Sequence, residues 1–208
     1  MKQSALLSKS ALVALALALS ACGGGPRRTA DLPTRPPDST HPGWSRPVPA
    51  HPAVPIEPAG PLTVARIGSY MDSLETELRR HVHGDGIIVA RMGDDITIIV
   101  RNDKLFASDG TLDGDDILEP LGAVLGSHVH TTVAVSGFTD TVGAPEQNLA
   151  LSQRRAKLIA AALAHEGVAP QRLTAQGLGE THLRVATGDD KKEPRNRRIE
   201  ILLKARPG

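Results

Sequence analysis

Proline is spread so unevenly along this chain that it decides where a fold can form. Eleven of the 16 prolines in the 208 residues fall between Pro26 and Pro61. Each proline locks φ and removes a backbone donor, so neither a helix nor a sheet can run through such a stretch. From Gly23 to about Pro61 the composition is Gly, Pro, Arg, His and Ala, with hardly any large apolar side chain. That cannot bury enough surface to offset the entropy of ordering. Extended polyproline II suits it, and at about 3.1 Å per residue its reach is on the order of 100 Å. The segment reads as a linker, with Trp44 a solvated side chain within it. Folding is thereby confined to residues 62–208, a span long enough to bury a core.

Ahead of the linker, Lys2 and Lys9 precede the apolar run Ala11 to Leu19, and the small residues Ser20 and Ala21 follow. This is the order of a secretory signal peptide. The run is well short of the roughly 20 residues that span a bilayer. The single cysteine, Cys22, excludes an intramolecular disulfide framework and a thiol-rich metal site. Leu19-Ser20-Ala21-Cys22 resembles the lipobox of bacterial lipoproteins. The resemblance implies removal of residues 1–21 and lipidation of Cys22, each acyl chain contributing about 0.8 kcal/mol per buried methylene. Gly23 in place of an aspartate after the cysteine implies the outer membrane, with the folded part facing the periplasm.

Within the folded part, Thr63 to His81 predicts an amphipathic helix, since Val64, Ile67, Met71, Leu74 and Leu78 step by threes and fours. Gly84-Asp85-Gly86 stops it. The β-branched runs Ile87 to Ala90 and Ile96 to Arg101, separated by Gly93-Asp94-Asp95, predict a hairpin. A polar loop from Phe106 to Leu112 leads to a helix around Asp115 to Ser127. Thr131 to Val135 reads as a strand ending at Ser136-Gly137-Phe138. Glu146 to His165 reads as a helix with an inward stripe of Leu149, Ala156, Ile159 and Leu163, closed by Gly167 and Pro170. Leu173 to Gln176 and Arg198 to Leu203 complete the strands. Aromatic residues are only 2% of the chain, so the core must be aliphatic. Alternating strands and helices predict an α/β sandwich, its helices on one face of a small mixed sheet.

Charge argues for no general polyanion partner: 24 Lys+Arg stand against 23 Asp+Glu, so nucleic acid is not implied. The pairs His81/His83 and His128/His130 lack a completing cysteine or carboxylate pattern, and read as residues near helix ends. Gly177-Leu178-Gly179 lacks the third glycine and the context of a dinucleotide loop. Lys191 to Arg198 reads as a solvated loop. No nucleophile with a neighbouring base stands out, so the chain reads as a binding module, not an enzyme, and no cofactor or metal is implied.

Gly137-Phe138-Thr139-Asp140-Thr141-Val142-Gly143, Asn148, Leu151-Ser152 and Arg154-Arg155-Ala156 together resemble the OmpA-like C-terminal domain family. The resemblance continues through Gly167-Val168, Arg172-Leu173, Gly177-Leu178-Gly179-Glu180 and Asn196-Arg197-Arg198-Ile199-Glu200-Ile201. Leu105-Phe106-Ala107-Ser108 fits the entry into the family's first long helix. The preceding helix and hairpin resemble the lipoprotein members, among them the peptidoglycan-associated lipoproteins. The family implies a βαβαβ domain over residues 105–208, prefaced by the helix and hairpin of residues 62–104. It implies non-covalent binding of peptidoglycan through the diaminopimelate of the stem peptide, and so a tether between outer membrane and cell wall. The alternative is a scaffold of an envelope complex, Tol-like or associated with efflux or secretion, in which protein partners are the main role.

That ligand presents an ammonium and carboxylates close together, so its site needs one fixed anion and one fixed cation. Family positions matching Asp140 and Arg155 take the ammonium and the carboxylate respectively. Asp140 follows the carboxyl end of a strand, where open α/β sheets bind ligands, and the planar fork of arginine grips a carboxylate with two hydrogen bonds. Thr139 belongs to the same loop. Asn148 either contacts the ligand or holds the loop. Asp109 corresponds to a family aspartate at the rim, and of Arg197 and Arg198 the second is the one set at the site. The family usually has histidine where Phe138 stands, which removes one polar contact.

Overall fold

The computed structural model describes residues 60–207. Cys22, the signal-like run and the linker as far as residue 59 lie outside the described residues. The elements are α1 (Ile67–His81), β1 (Ile87–Met92), β2 (Asp95–Arg101), α2 (Asp115–Ser127), β3 (Thr131–Phe138), α3 (Pro145–His165), β4 (Leu173–Gly179) and β5 (Arg198–Ala205). They build one five-stranded sheet in the order β1-β2-β5-β3-β4. Only the β3–β4 pairing is parallel, joined through α3; β1–β2, β2–β5 and β3–β5 are antiparallel. The sheet is thus mixed, as expected, and its last strand in sequence is its middle strand in space. The hairpin, expected as a preface to the domain, extends the domain's own sheet through β2–β5 pairing.

Alternation along the strands explains why the helices share one face. In β2 the residues Ile96, Ile98 and Val100 are buried, while their neighbours are only partly so. A period of two turns one side of a strand to the core and the other to solvent. The pairing aligns these residues in rungs: Ile96–Leu203–Val133, Ile98–Ile201–Val135 and Val100–Ile199–Gly137. On the face covered by the helices, Met71, Leu74 and Leu78 of α1, Leu118, Leu121 and Leu125 of α2, and Ile159 and Leu163 of α3 are all fully or almost fully buried. The core is aliphatic, as the scarcity of aromatics requires.

The third rung ends in glycine, and there the packing changes character. A Cβ on Gly137 would lie 2.4 Å from the Ser152 carbonyl oxygen, and one on Gly177, its register partner, 2.2 Å from the Gln153 nitrogen. The backbone of α3 therefore rests directly on the backbone of β3 and β4. Ser152 Oγ accepts from the Gly179 N–H at 2.9 Å, while the Gln153 amide donates to the Ala175 carbonyl at 3.2 Å and accepts from the Gly177 N–H at 2.8 Å. These bonds bring α3 onto the edge strand β4, whose backbone groups need partners.

Two details of the expected stripes are corrected. Leu149 is 50% exposed, and the buried positions in the first half of α3 are Asn148 and Ser152. Backbone-close packing against glycine admits small side chains and excludes a leucine. Val64 is 77% exposed, because it lies in a single 3-10 turn before α1, and Leu62 enters the core in its place. The hairpin turns at Gly93, whose φ of 61° is in the left-handed region that glycine adopts without a Cβ penalty.

Candidate functional site

Beyond the carboxyl end of β3 the chain turns through Thr139, Asp140 and Thr141, all buried. Asp140 Oδ2 accepts twice there: from Arg197 Nη1 at 2.9 Å and from the Glu193 backbone N–H at 3.2 Å. Both donors come from the connection between β4 and β5. A buried carboxylate needs such partners, since an unpaired charge in the interior is costly.

Arg155 stands on α3, half-buried, with its guanidinium carbon 5.2 Å from the centre of the Phe106 ring. That stack is a cation–π contact, and it puts the loop before α2 in service of the site. Among the described residues the Arg155 guanidinium makes no hydrogen bond or ion pair, and its Nε is buried without a partner. Burial, then the neighbouring charges of Arg197 and Arg154, push its pKa below the ordinary arginine value, and Asp140 acts in the opposite direction. Arg155 and Arg197 thus both act on Asp140, and only Arg197 is hydrogen-bonded to it.

The neighbourhood holds more unsatisfied polarity. Four buried side-chain polar atoms among the described residues lack a hydrogen-bond partner: Arg155 Nε, Thr139 Oγ1, Asn102 Oδ1 and His128 Nε2. The first two belong to the site. Asn102 adjoins it, its amide donating to the Phe138 carbonyl at 3.4 Å and its backbone N–H to the Arg197 carbonyl at 3.0 Å. Buried polar groups in folded proteins are overwhelmingly paired, so three orphans gathered around one carboxylate mark a place prepared for a polar ligand.

Asn148 is a brace. Its amide donates to the Glu180 carboxylate at 2.7 Å, to the Val142 carbonyl at 3.1 Å and to the Asp140 carbonyl at 3.4 Å. The loop after β3 is thereby pinned to α3 and to the start of the β4–β5 connection. Thr141 continues the work: its hydroxyl donates to the Gly188 carbonyl at 2.7 Å and accepts from the Lys191 N–H at 3.1 Å. Asn196, fully buried, bridges to Val185 in both directions at 2.8 Å.

The structure brings Asp140, Thr139, Asn148 and Arg155 into one region, but not Asp109 or Arg198. Asp109 is exposed and spends its carboxylate on Thr111, whose hydroxyl donates to it at 2.7 Å and whose N–H donates at 2.9 Å. Those bonds hold its pKa below the usual carboxylate value. Arg198 stacks 3.8 Å over the Phe138 ring and pairs with Glu200 at 2.7 Å. The arginine at Asp140 is Arg197, not Arg198. Strand alternation carries the signal: Arg197 shares the parity of the buried Ile199, Ile201 and Leu203, and Arg198 that of the partly exposed Glu200. Glu193, Thr141, Asn196 and Asn102 are further site residues that sequence reasoning missed. Asn196 stands within the stretch that carries the family resemblance, whereas the backbone contact of Glu193 has no side-chain signal.

Of the histidine pairs, His128 is buried with Nδ1 2.9 Å from the Val124 carbonyl, at the end of α2. No group of three or more His, Cys, Asp or Glu among the described residues could hold a metal ion. No helix among the described residues is long and apolar enough to cross a membrane.

Residues 111–197 match the model of the OmpA family. Probable lipoprotein YiaD of Escherichia coli (strain K12) is 37% identical over 140 residues, 66% of this chain and 64% of YiaD. The chain therefore spans less than two thirds of the length of that curated relative. A MotB-like protein from Desulfovibrio vulgaris superposes with a TM-score of 0.59 at 25% identity, over 68% of this chain and 93% of that one. The cell wall anchor of the T6SS from Pseudomonas aeruginosa superposes with a TM-score of 0.55 at 27% identity, over 64% of this chain and 96% of that one.

Proposed function

We propose, from the premise that residues 111–197 form an OmpA family domain, that this chain binds peptidoglycan non-covalently through the diaminopimelate of its stem peptide. The observation that carries the reading is the cluster of unspent polar atoms around Asp140, with the Arg155 guanidinium foremost. A carboxylate arriving at Arg155 meets a cation that no internal anion neutralises, in surroundings where charge-assisted hydrogen bonds are strong. The ligand ammonium goes to Asp140, and Arg197 is positioned to shift part of its charge toward the ligand carboxylate. Binding is the whole of the activity, with no bond made or broken.

The name of the Pseudomonas protein, a cell wall anchor, supports wall binding. That of YiaD, a probable lipoprotein, supports an anchor at Cys22. On this reading residues 1–21 are removed, Cys22 is lipidated in the outer membrane, residues 22–61 are the tether, and residues 62–104 and 105–208 fold as the periplasmic wall-binding part. A second reading, an envelope-machine scaffold in which wall binding is one half of the work, is favoured by the MotB-like and T6SS similarities.

The test is sedimentation of the full chain with purified sacculi. Wild type co-sediments, and Asp140→Ala and Arg155→Ala variants that remain folded do not. Undiminished binding by both variants would remove the site, and absence of binding by wild type would leave the scaffold reading ahead. Soluble muropeptides should not be released. Mass spectrometry of the mature N-terminus checks Cys22, and an uncleaved, unmodified cysteine refutes the anchor.

A further inference from the structure

The connection between β4 and β5 runs from Glu180 to Arg197 without a helix or a strand. A structureless loop that long inside a compact domain is uncommon and is usually functional. Here it carries both groups that hold Asp140, the Glu193 N–H and Arg197. Its middle is tied to Thr141 and its two arms are bridged by Asn196 and Val185. Its base is tied differently. Arg198, 5% exposed, donates from Nη2 to the His182 carbonyl at 3.1 Å, near the loop's start, and from Nη1 to the Asn196 carbonyl at 3.3 Å, at its end. Nε donates to Glu200 at 2.7 Å, and the flat face of the fork lies 3.8 Å over the Phe138 ring.

We propose that Arg198 is a positioning residue: locked on Phe138, it clamps both ends of the 180–197 loop to the sheet and so sets Arg197 and the Glu193 N–H on Asp140. Each of the three nitrogens of its fork makes a hydrogen bond inside the protein, and the side chain is buried. An arginine can do this because its donors diverge in one rigid plane, and an aromatic face supports that plane without competing for the donors. Phe138 has the same role from the other side. It ends β3 one step past Gly137, on the parity opposite to the core residues Val133 and Val135, so its ring meets Arg198 on the face away from the helices. The clamp and the ligand-facing group Arg197 are adjacent in sequence and lie on opposite sides of the strand line.

The effect of the clamp on wall binding rests on the function proposed above, but the clamp itself does not, and the experiment separates the two. Hydrogen exchange is followed in the full chain for wild type, Phe138→Leu, Phe138→His and Arg198→Lys. Loop opening is local, and loss of a buried cation–π contact accelerates exchange at the Glu193 and Val185 amides about tenfold. The strand amides of Ile98 and Ile201 change little. Phe138→His, measured at about pH 8 where an ordinary histidine is neutral, restores a flat ring and slow exchange. Arg198→Lys keeps charge and bulk while losing the fork, and is the second route should Phe138→Leu fail to fold. Unaltered exchange from residue 180 to 197 in Phe138→Leu and Arg198→Lys would overturn the clamp. So would acceleration spread evenly over β2 and β5, which is the mark of lost packing alone. In sacculus sedimentation the opened variants bind several-fold more weakly with Asp140 and Arg155 intact, and the histidine variant recovers. Should wild type not bind sacculi, the functional reading falls and exchange alone decides the clamp.

Discussion

The two halves of the sheet are held by different physics. On the hairpin side, α1 buries Met71, Leu74 and Leu78 and β2 buries Ile96 and Ile98, all of them large aliphatic side chains. On the crossover side, the first half of α3 lies on Gly137 and Gly177 with Ser152 and Gln153 between, a gap of backbone width laced by hydrogen bonds. The first arrangement tolerates exchange of one apolar side chain for another, since volume can be redistributed. The second tolerates nothing larger than hydrogen. The proposed binding site sits on the second half, so Asp140 and Arg155 are carried by the part of the fold with the least room to move.

The sharpest way to break this comparison is Gly177→Ala. The added carbon would fall 2.2 Å from the Gln153 nitrogen and 2.6 Å from its Cα, and backbone cannot swing aside as a side chain does. The cost should reach or exceed about 3 kcal/mol, the upper end for overpacking, read as a fall in the urea midpoint with little change of slope. A cost under about 1 kcal/mol would mean that α3 can lift, and the distinction between the halves would fail.

Asn148→Ala comes next. It strips donors from the Glu180 carboxylate and the Val142 carbonyl and frees the loop that holds Asp140. Unsatisfied buried partners cost about 2 kcal/mol, and sacculus binding should fall with stability. Ile98→Val, in the middle of the hairpin-side rung, removes one methylene and should cost only about 1 kcal/mol, with wall binding unchanged. Equal losses of binding in the two variants would show that the site depends on the stability of the whole domain and not on its own half.

The same division governs how far the sequence could be read. The hairpin half is legible because its information is periodic: β-branched runs around Gly93-Asp94, and leucines at helical spacing in α1. In the crossover half periodicity misleads. Leu149 reads as inward by its hydrophobicity and turns outward, because what faces the sheet is decided by glycines some ten and thirty residues away in the chain. That Arg197 rather than Arg198 bonds Asp140 is hard to read for a related reason. Charge and family resemblance do not separate two adjacent arginines, whereas the parity of Ile199 and Ile201 does, once those residues are known to face the helices. Asp140 and Arg155 are singled out by the family resemblance, whereas Asn102 and Glu193 are not, since pairing through the main chain carries no side-chain signature.

The smallest effect lies in the loop that joins the halves. Glu193 gives its N–H to Asp140 while its own carboxylate receives Arg195 through Nε and Nη2, each at 2.9 Å. Arg195 holds the Glu193 pKa down to about 2 from the ordinary 4.5. A carboxyl group whose folded pKa lies below its unfolded value stabilises the folded form above the unfolded pKa, and that contribution drains away as pH falls from about 4.5 toward 2. Its partner Arg195 is exposed, so screening keeps the contribution small and local to the loop. Carbon-detected NMR of the Glu193 carboxyl should give a midpoint near the low value, and Arg195→Ala should move it up toward 4.5. An unmoved midpoint would take away the pairing that orders this stretch, and leave Arg197 and the Arg198 clamp as the supports of Asp140 from the loop.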